Sequence, residues 1–298
     1  MELSSETEPT EEPLSLITEE TRSRIMPWGF LYTFPWWGLA LILISIWVAV
    51  SIAASEIYYN IFLQLQGGIA LTLRVSVTSY ICAFAIGLMV GIIRSNPPKP
   101  RYGFTGRLFS LIHMVLYNLA TFFVMVMRGL PVLFVLLIFA FVIVPAVRDF
   151  LRVTYDIELG IRGSSMESAI IALSFTYGAF LSETFRAGIQ SVEKGQIEAA
   201  RSLGMNYFLT MRHIVLPQAV RRVLPPLGND FVAMIKDSSL VAILGVQDIA
   251  QIAKVSSGAS FRYLETYLLV AVIYLSMTII GSLLVRFLER RVTLPSDR

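Results

Sequence analysis

The sequence predicts an all-α membrane protein with six spans, five forming a core and one added at the N-terminal side. Three observations carry this. Of the 298 residues, 55% are hydrophobic and 15% charged, and the mean hydropathy is +0.68. Uncharged apolar runs recur at the roughly 20-residue length that crosses a bilayer core about 30 Å thick. Lys and Arg gather in alternate connecting segments.

Residues 1–30 are polar and Glu-rich, without a basic start or a cleavage site, and read as an acidic, disordered cytoplasmic tail. The first span is expected at 36–56, from Trp36, and the second from Ile69 to Ile93, interrupted only by Arg74. The runs Leu108–Met127 and Gly129–Val147 are each long enough to cross, but a single residue separates them and two spans cannot reverse in one residue. A bend at Arg128-Gly129-Leu130-Pro131, where proline removes a donor, suits an interfacial helix leading into one span. Further spans are expected from Glu167 to about Arg186, from Val223 to Val246, and from Thr266 to Val285.

With the N-terminus inside, about 17 basic residues fall on the inner side, from Arg22 and Arg24 to the C-terminal arginines. The outer loops hold Arg148, Arg152, Arg162, Lys254 and Arg262. Both termini and the long loop at about 187–222 are therefore expected in the cytoplasm. A net charge of +3 without a basic run interleaved with aromatics argues against nucleic acid. One cysteine, Cys82, cannot close an internal disulfide, and two distant histidines, His113 and His213, do not make a metal site.

The loop reads as helix, turn, helix, with Gly195 and Gly204 as punctuation and Pro217 as a stop. Small residues at Ala199 and Ala200 leave a surface another protein can close on, Gly204 permits a reversal, and Ile214 with Leu216 can anchor the second segment. Such a knuckle could also be an ordinary interfacial loop. The spacing decides: Glu198-Ala199-Ala200, three residues, Gly204, nine residues, Ile214, one residue, Leu216-Pro217 resembles the EAA motif of ABC-importer permeases, with no departing position.

The resemblance extends to Gly68 with Leu71-Thr72-Leu73, to Arg128-Gly129-Leu130-Pro131, to Glu183-Thr184-Phe185-Arg186-Ala187-Gly188-Ile189, and to Leu224-Pro225-Pro226-Leu227-Gly228-Asn229-Asp230. It covers about 65–290 and is closest to the polar amino acid branch of type I ABC importers, the histidine, glutamine and glutamate type, though Leu130 stands where Thr is commoner. It implies an inner-membrane subunit with five core spans, two ABC ATPase subunits docked on the loop, a second permease copy or paralogue, and an extracytoplasmic amino-acid-binding protein.

No Gly-Lys pair exists, so the phosphate-binding loop G-x-x-x-x-G-K-[ST] is missing. No cofactor and no catalytic residue are expected in this chain; ATP and Mg²⁺ belong to partner subunits. Ionisable groups at membrane depth are site candidates by default, here Arg74, Glu183, Asp230, Lys236 and Asp237. Asp230 leads, because the Pro225-Pro226 break and Asn229 would leave free carbonyls beside it; in the family it resembles a contact for a substrate ammonium group. The competing reading pairs it with Lys236 or Arg74. Glu183 and Arg186, three apart, read as a salt bridge orienting the loop, with Arg128, Gly129 and Pro131 as structural or gating residues. Gly87 and Gly91 read as core packing. A secondary transporter or channel acting alone would need internal repeats or a charged relay, and a membrane enzyme would need clustered catalytic groups.

Overall fold

The computed structural model describes residues 36–100, 102–158 and 160–292, in which every regular element is helical. The acidic stretch 1–30, with Arg22 and Arg24, lies outside the described residues. The chain divides into two compact units, up to Val50 and from Ser51. The first holds most of α1 (Trp36–Ala54), an uncharged helix of 19 residues.

In the second unit, α2 runs from Glu56 to Ser95, 40 residues or roughly 60 Å, about twice a bilayer core. It starts well before the expected Ile69, and its first half is supported from outside: Ser256 donates a 2.6 Å hydrogen bond to Gln64. Along its length Gly68, Thr72, Ser76, Ser79, Ala83, Gly87 and Gly91 are buried, a stripe of small residues at helical spacing. Its start, Gly68 and Thr72, meets Ile249, and its later part meets α6 (Met166–Gln190), where a Cβ on Gly87 would stand 2.7 Å from Leu181 Cβ. Gly87 and Gly91 are thus packing residues, as expected.

Helix α3 (Phe104–Gly129) is apolar and long enough to cross a membrane. Its neighbours, however, lie between the middle and one end of α2 and α6. Phe109 and Leu116 share a cavity with Ile92 and Ile93, Ala120 and Val124 pack on Val90 and Ala179, and Arg128 reaches Glu183. It ends at an extended corner, Leu130 and Pro131, where proline forces its predecessor out of the helical region. A second helical run then goes from Val132 to Tyr155 as α4 (Val132–Ile138), a π-helical segment (Phe139–Ile143) and α5 (Val144–Tyr155). Val135, Leu136, Phe139 and Ala140 pack into the main core with Ala169, Ala172 and Leu173 of α6.

A capping box of Ser165 and Ser168 starts α6. It is less apolar than α2, α3, Val132–Tyr155 and the last helix, which among the described residues are long and apolar enough to cross a membrane. Burial by its neighbours explains its polar content: Ser174, Thr176 and Ser182 are buried, and each donates to a carbonyl of its own helix at 2.6–2.9 Å.

The loop forms α7 (Lys194–Ser202), a turn, and α8 (Tyr207–Thr210), then a π segment (Met211–Val215), α9 (Leu216–Asp237) and a 3₁₀ turn (Ser238–Leu244). Two expectations fail here. Pro217 does not stop the chain; it sits in the first turn of α9, where a missing N–H costs little. The wide π turn just before it closes with Leu216 N donating to Met211 O. Pro225 and Pro226 also lie inside an uninterrupted helix, so Asp230 is not at a break. Helices α10 (Ile249–Ser260) and α11 (Tyr263–Val292) complete the unit, with α11 packed along α9.

Candidate functional site

The knuckle is built by α7, the turn and α8. Leu203 N and Gly204 N donate back to Ala199 and Arg201 carbonyls, and Gly204 takes φ +78°, a left-handed conformation that only glycine adopts without cost. Nothing lies within 4 Å of where its Cβ would be, so the requirement is backbone shape. Asn206 caps α8, accepting from Leu209 N at 2.9 Å.

The outer surface of the knuckle is apolar and open: Leu203 is 83% exposed and Phe208 68%, beside Glu198, Ala199 and Tyr207. Ala200, by contrast, is 3% exposed and faces this chain's own core, so only one of the two alanines lines an open face. The inner anchors also differ from expectation. Leu216 is half exposed and Ile214 only partly covered, whereas Thr210, Val215 and Ala219 are buried. Spacing alone could have found them, since 215 and 219 are one helical turn apart.

One contact fastens the knuckle to α9, and two more fasten α9 to the end of α6. Gln218 donates to Gln196 at 2.6 Å, Arg222 donates to the Ser191 carbonyl, and Gly188 allows Val223 so close that a Cβ there would meet Val223 Cγ1 at 2.1 Å. From Tyr207 to Asp237 the helical run is continuous, roughly 45 Å at 1.5 Å per residue. Asp230 therefore lies on the same helical run as the second half of the knuckle.

Asp230 is half buried and makes no ion pair among the described residues. The expected alternative, pairing with Lys236 or Arg74, is not found: Lys236 and Asn229 lie on an exposed flank of α9, and Arg74 is exposed on α2, where Glu167 is its charged neighbour. Thr184 is a polar neighbour of the Asp230 carboxylate, and Tyr80 and Tyr177 lie within reach of its charge. The Tyr80 hydroxyl donates to the Leu227 carbonyl at 2.7 Å, and its ring meets Phe231 edge-on at 5.1 Å. Tyr177 donates to Asp237 at 2.8 Å. An unpaired carboxylate framed by hydroxyls and aromatic edges accepts a cationic group. Tyr80, Tyr177 and Thr184 escaped the sequence reading because neutral side chains give no signal within apolar runs.

Glu183 and Arg186 pair as expected, Nη2 to Oε2 at 2.6 Å and Nε to Oε2 at 2.8 Å. The carboxylate also binds Arg94 from the end of α2 and has Arg128 from α3 at 3.9 Å. Arg128 stacks over Phe180 at 5.8 Å. Gly129 and Pro131 form the corner beside this hub. Asp248, fully buried, caps α10 by accepting from Gln251 N at 2.8 Å and is hydrogen-bonded by Tyr274. Among the described residues no group of His, Cys, Asp or Glu could hold a metal ion.

Residues 103–294 match the family described as binding-protein-dependent transport system inner membrane component. The chain is 34% identical over 237 residues, 80% of its length and 97% of the relative's, to a protein of Bacillus subtilis named probable glutamine ABC transporter permease protein GlnM. It is 31% identical, over 80% of its length and 96% of the relative's, to the glutamine transport system permease protein GlnP of Escherichia coli. A solved amino acid ABC transporter with histidines matches 80% of this chain and 97% of its own at 29% identity, with a TM-score of 0.62. The inward-facing MetNI methionine ABC transporter shares the fold, with a TM-score of 0.59 at 19% identity.

Proposed function

Since the chain belongs to the binding-protein-dependent inner membrane components of ABC importers, we propose that it is the permease subunit that carries polar amino acids across the cytoplasmic membrane. ATP is hydrolysed by separate subunits. The observation that carries this reading is the unbroken helix from the knuckle to Asp230. Closure of an ATPase on the exposed Leu203 and Phe208 face moves α8, and α9 moves with it. ATP thereby selects between inward-open and outward-open arrangements, because only one lets the ATPases close.

In this reading two ATPase subunits meet two permeases, identical or paralogous, and a binding protein delivers substrate from outside. Helix α3 lies along the inner face and leads through the Arg128–Pro131 corner into one span, so that Val132–Tyr155 with α2, α6, α9 and α11 make five crossings and α1 a sixth. Both termini are cytoplasmic, and the chain itself performs no catalysis. The Asp230 carboxylate takes the substrate's ammonium group, with Thr184, Tyr80 and Tyr177 around it. Asn229 and Lys236, on the exposed flank, face the second permease, and Arg74 lies at the outer edge. Glu198, Ala199, Ala200, Gly204, Ile214, Leu216 and Pro217 shape the lever.

The deciding experiment purifies the chain with its ATPase and adds the external binding protein with single amino acids. Stimulated ATP hydrolysis with polar amino acids is expected; uphill transport by the chain reconstituted alone would overturn the proposal.

A further inference from the structure

We propose that the cavity between the end of α2 and the first half of α3 binds an anionic phospholipid, which thereby touches the coupling knuckle. The cavity has a volume of about 630 Å³. Its walls are apolar, with Ile92, Phe109, Ile112 and Leu116 placed to contact acyl chains. Lys99 and His113 supply donors, Tyr207 adds a phenol, and among the described residues no carboxylate lines it. That combination favours a phosphate attached to a hydrocarbon chain over a cationic headgroup.

The surroundings are those of a membrane interface. Tyr102 and Phe104 stand almost fully exposed at the start of α3, Arg107 follows, and Leu108, Leu111 and Val115 present an exposed apolar flank. Aromatic and basic residues next to such a flank mark headgroup depth. The turn bearing Lys99 is held to α3 by a 2.9 Å hydrogen bond from Ser110 to the Lys99 carbonyl, which fixes the two walls relative to each other. Tyr207 is the first residue of α8, so an occupant braces the same helix on which coupling is proposed to act. A soluble phosphate would use the donors but leave the apolar walls wet.

Lipid binding stands apart from the permease reading; only its effect on turnover rests on it. The test takes the complete transporter with its ATPase, exchanged into equal mixtures of phosphatidylglycerol and phosphatidylcholine, and counts retained lipids by native mass spectrometry. Phosphatidylglycerol should be retained about tenfold over phosphatidylcholine. Lys99→Ala with His113→Ala should erase that preference, and Ile112→Trp, which fills the cavity without altering charge, should expel the lipid. In nanodiscs, phosphatidylglycerol should raise ATP hydrolysis by the parent but not by the double variant. Equal retention of the two lipids, retention unchanged by both variants, displacement of the lipid by free inorganic phosphate, or binding seen only after the ATPase is stripped away would each overturn the site.

Discussion

The Tyr177 hydroxyl donates a 2.8 Å hydrogen bond to Asp237 Oδ2, joining the middle of α6 to the last turn of α9. Asp237 stands seven residues beyond Asp230, two turns along the same face. The bond therefore sets the rotation of the helix that presents Asp230. Tyr177→Phe should cost about 1 kcal/mol of stability, read as a lower thermal midpoint in detergent, and should weaken uptake several-fold without loss of membrane insertion. An unchanged midpoint would show that the bond does not order α9.

Asp230→Ala should abolish amino acid uptake while the chain still co-purifies with its ATPase. A charge-assisted contact is worth about 1.5–3 kcal/mol, so at least tenfold in transport is expected. Asp230→Asn keeps the shape and should lose nearly as much. Normal uptake by either variant would remove Asp230 from the site.

Gly204→Asp puts a side chain on a residue at φ +78° and a charge on the open knuckle. Left-handed backbone costs a non-glycine residue about 1–2 kcal/mol. ATPase co-purification and substrate-stimulated hydrolysis should fall together, with membrane insertion intact. Gly204→Ala, strained but uncharged, should show a partial loss.

Glu183→Gln leaves Arg94, Arg128 and Arg186 converging without their common anion. The loss is expected to be up to about 3 kcal/mol, since stranding partly buried charges is dearer than deleting a pair. Adding Arg94→Gln should restore part of the thermal midpoint, because Arg94 has only 12% of its side chain exposed. A double variant no better than Glu183→Gln would argue against the hub.

Gly228 lies so close to α11 that a Cβ would meet Val285 Cγ1 at 2.0 Å. Gly228→Ala should therefore destabilise by about 1–3 kcal/mol, and Val285→Ala in the same chain should recover most of it. Additive losses would mean that the two helices do not meet at this point.

The sequence by itself determined what is local. Composition and run length made the chain a membrane protein, the spacing from Glu198 to Pro217 made a helix-turn-helix knuckle, and Leu130-Pro131 made a corner, because each depends on neighbouring residues and backbone geometry. The tertiary structure decided what depends on which helix faces which. Pro131 breaks a helix whereas Pro217, Pro225 and Pro226 do not, because the π segment before α9 and close packing against α6 and α11 hold the rod together. Glu183 gained Arg94 from 89 residues away, and Asp230 gained hydroxyl neighbours instead of an ion pair. Such partners are chosen by the close approach of small-residue faces, a long-range property that no window of sequence contains.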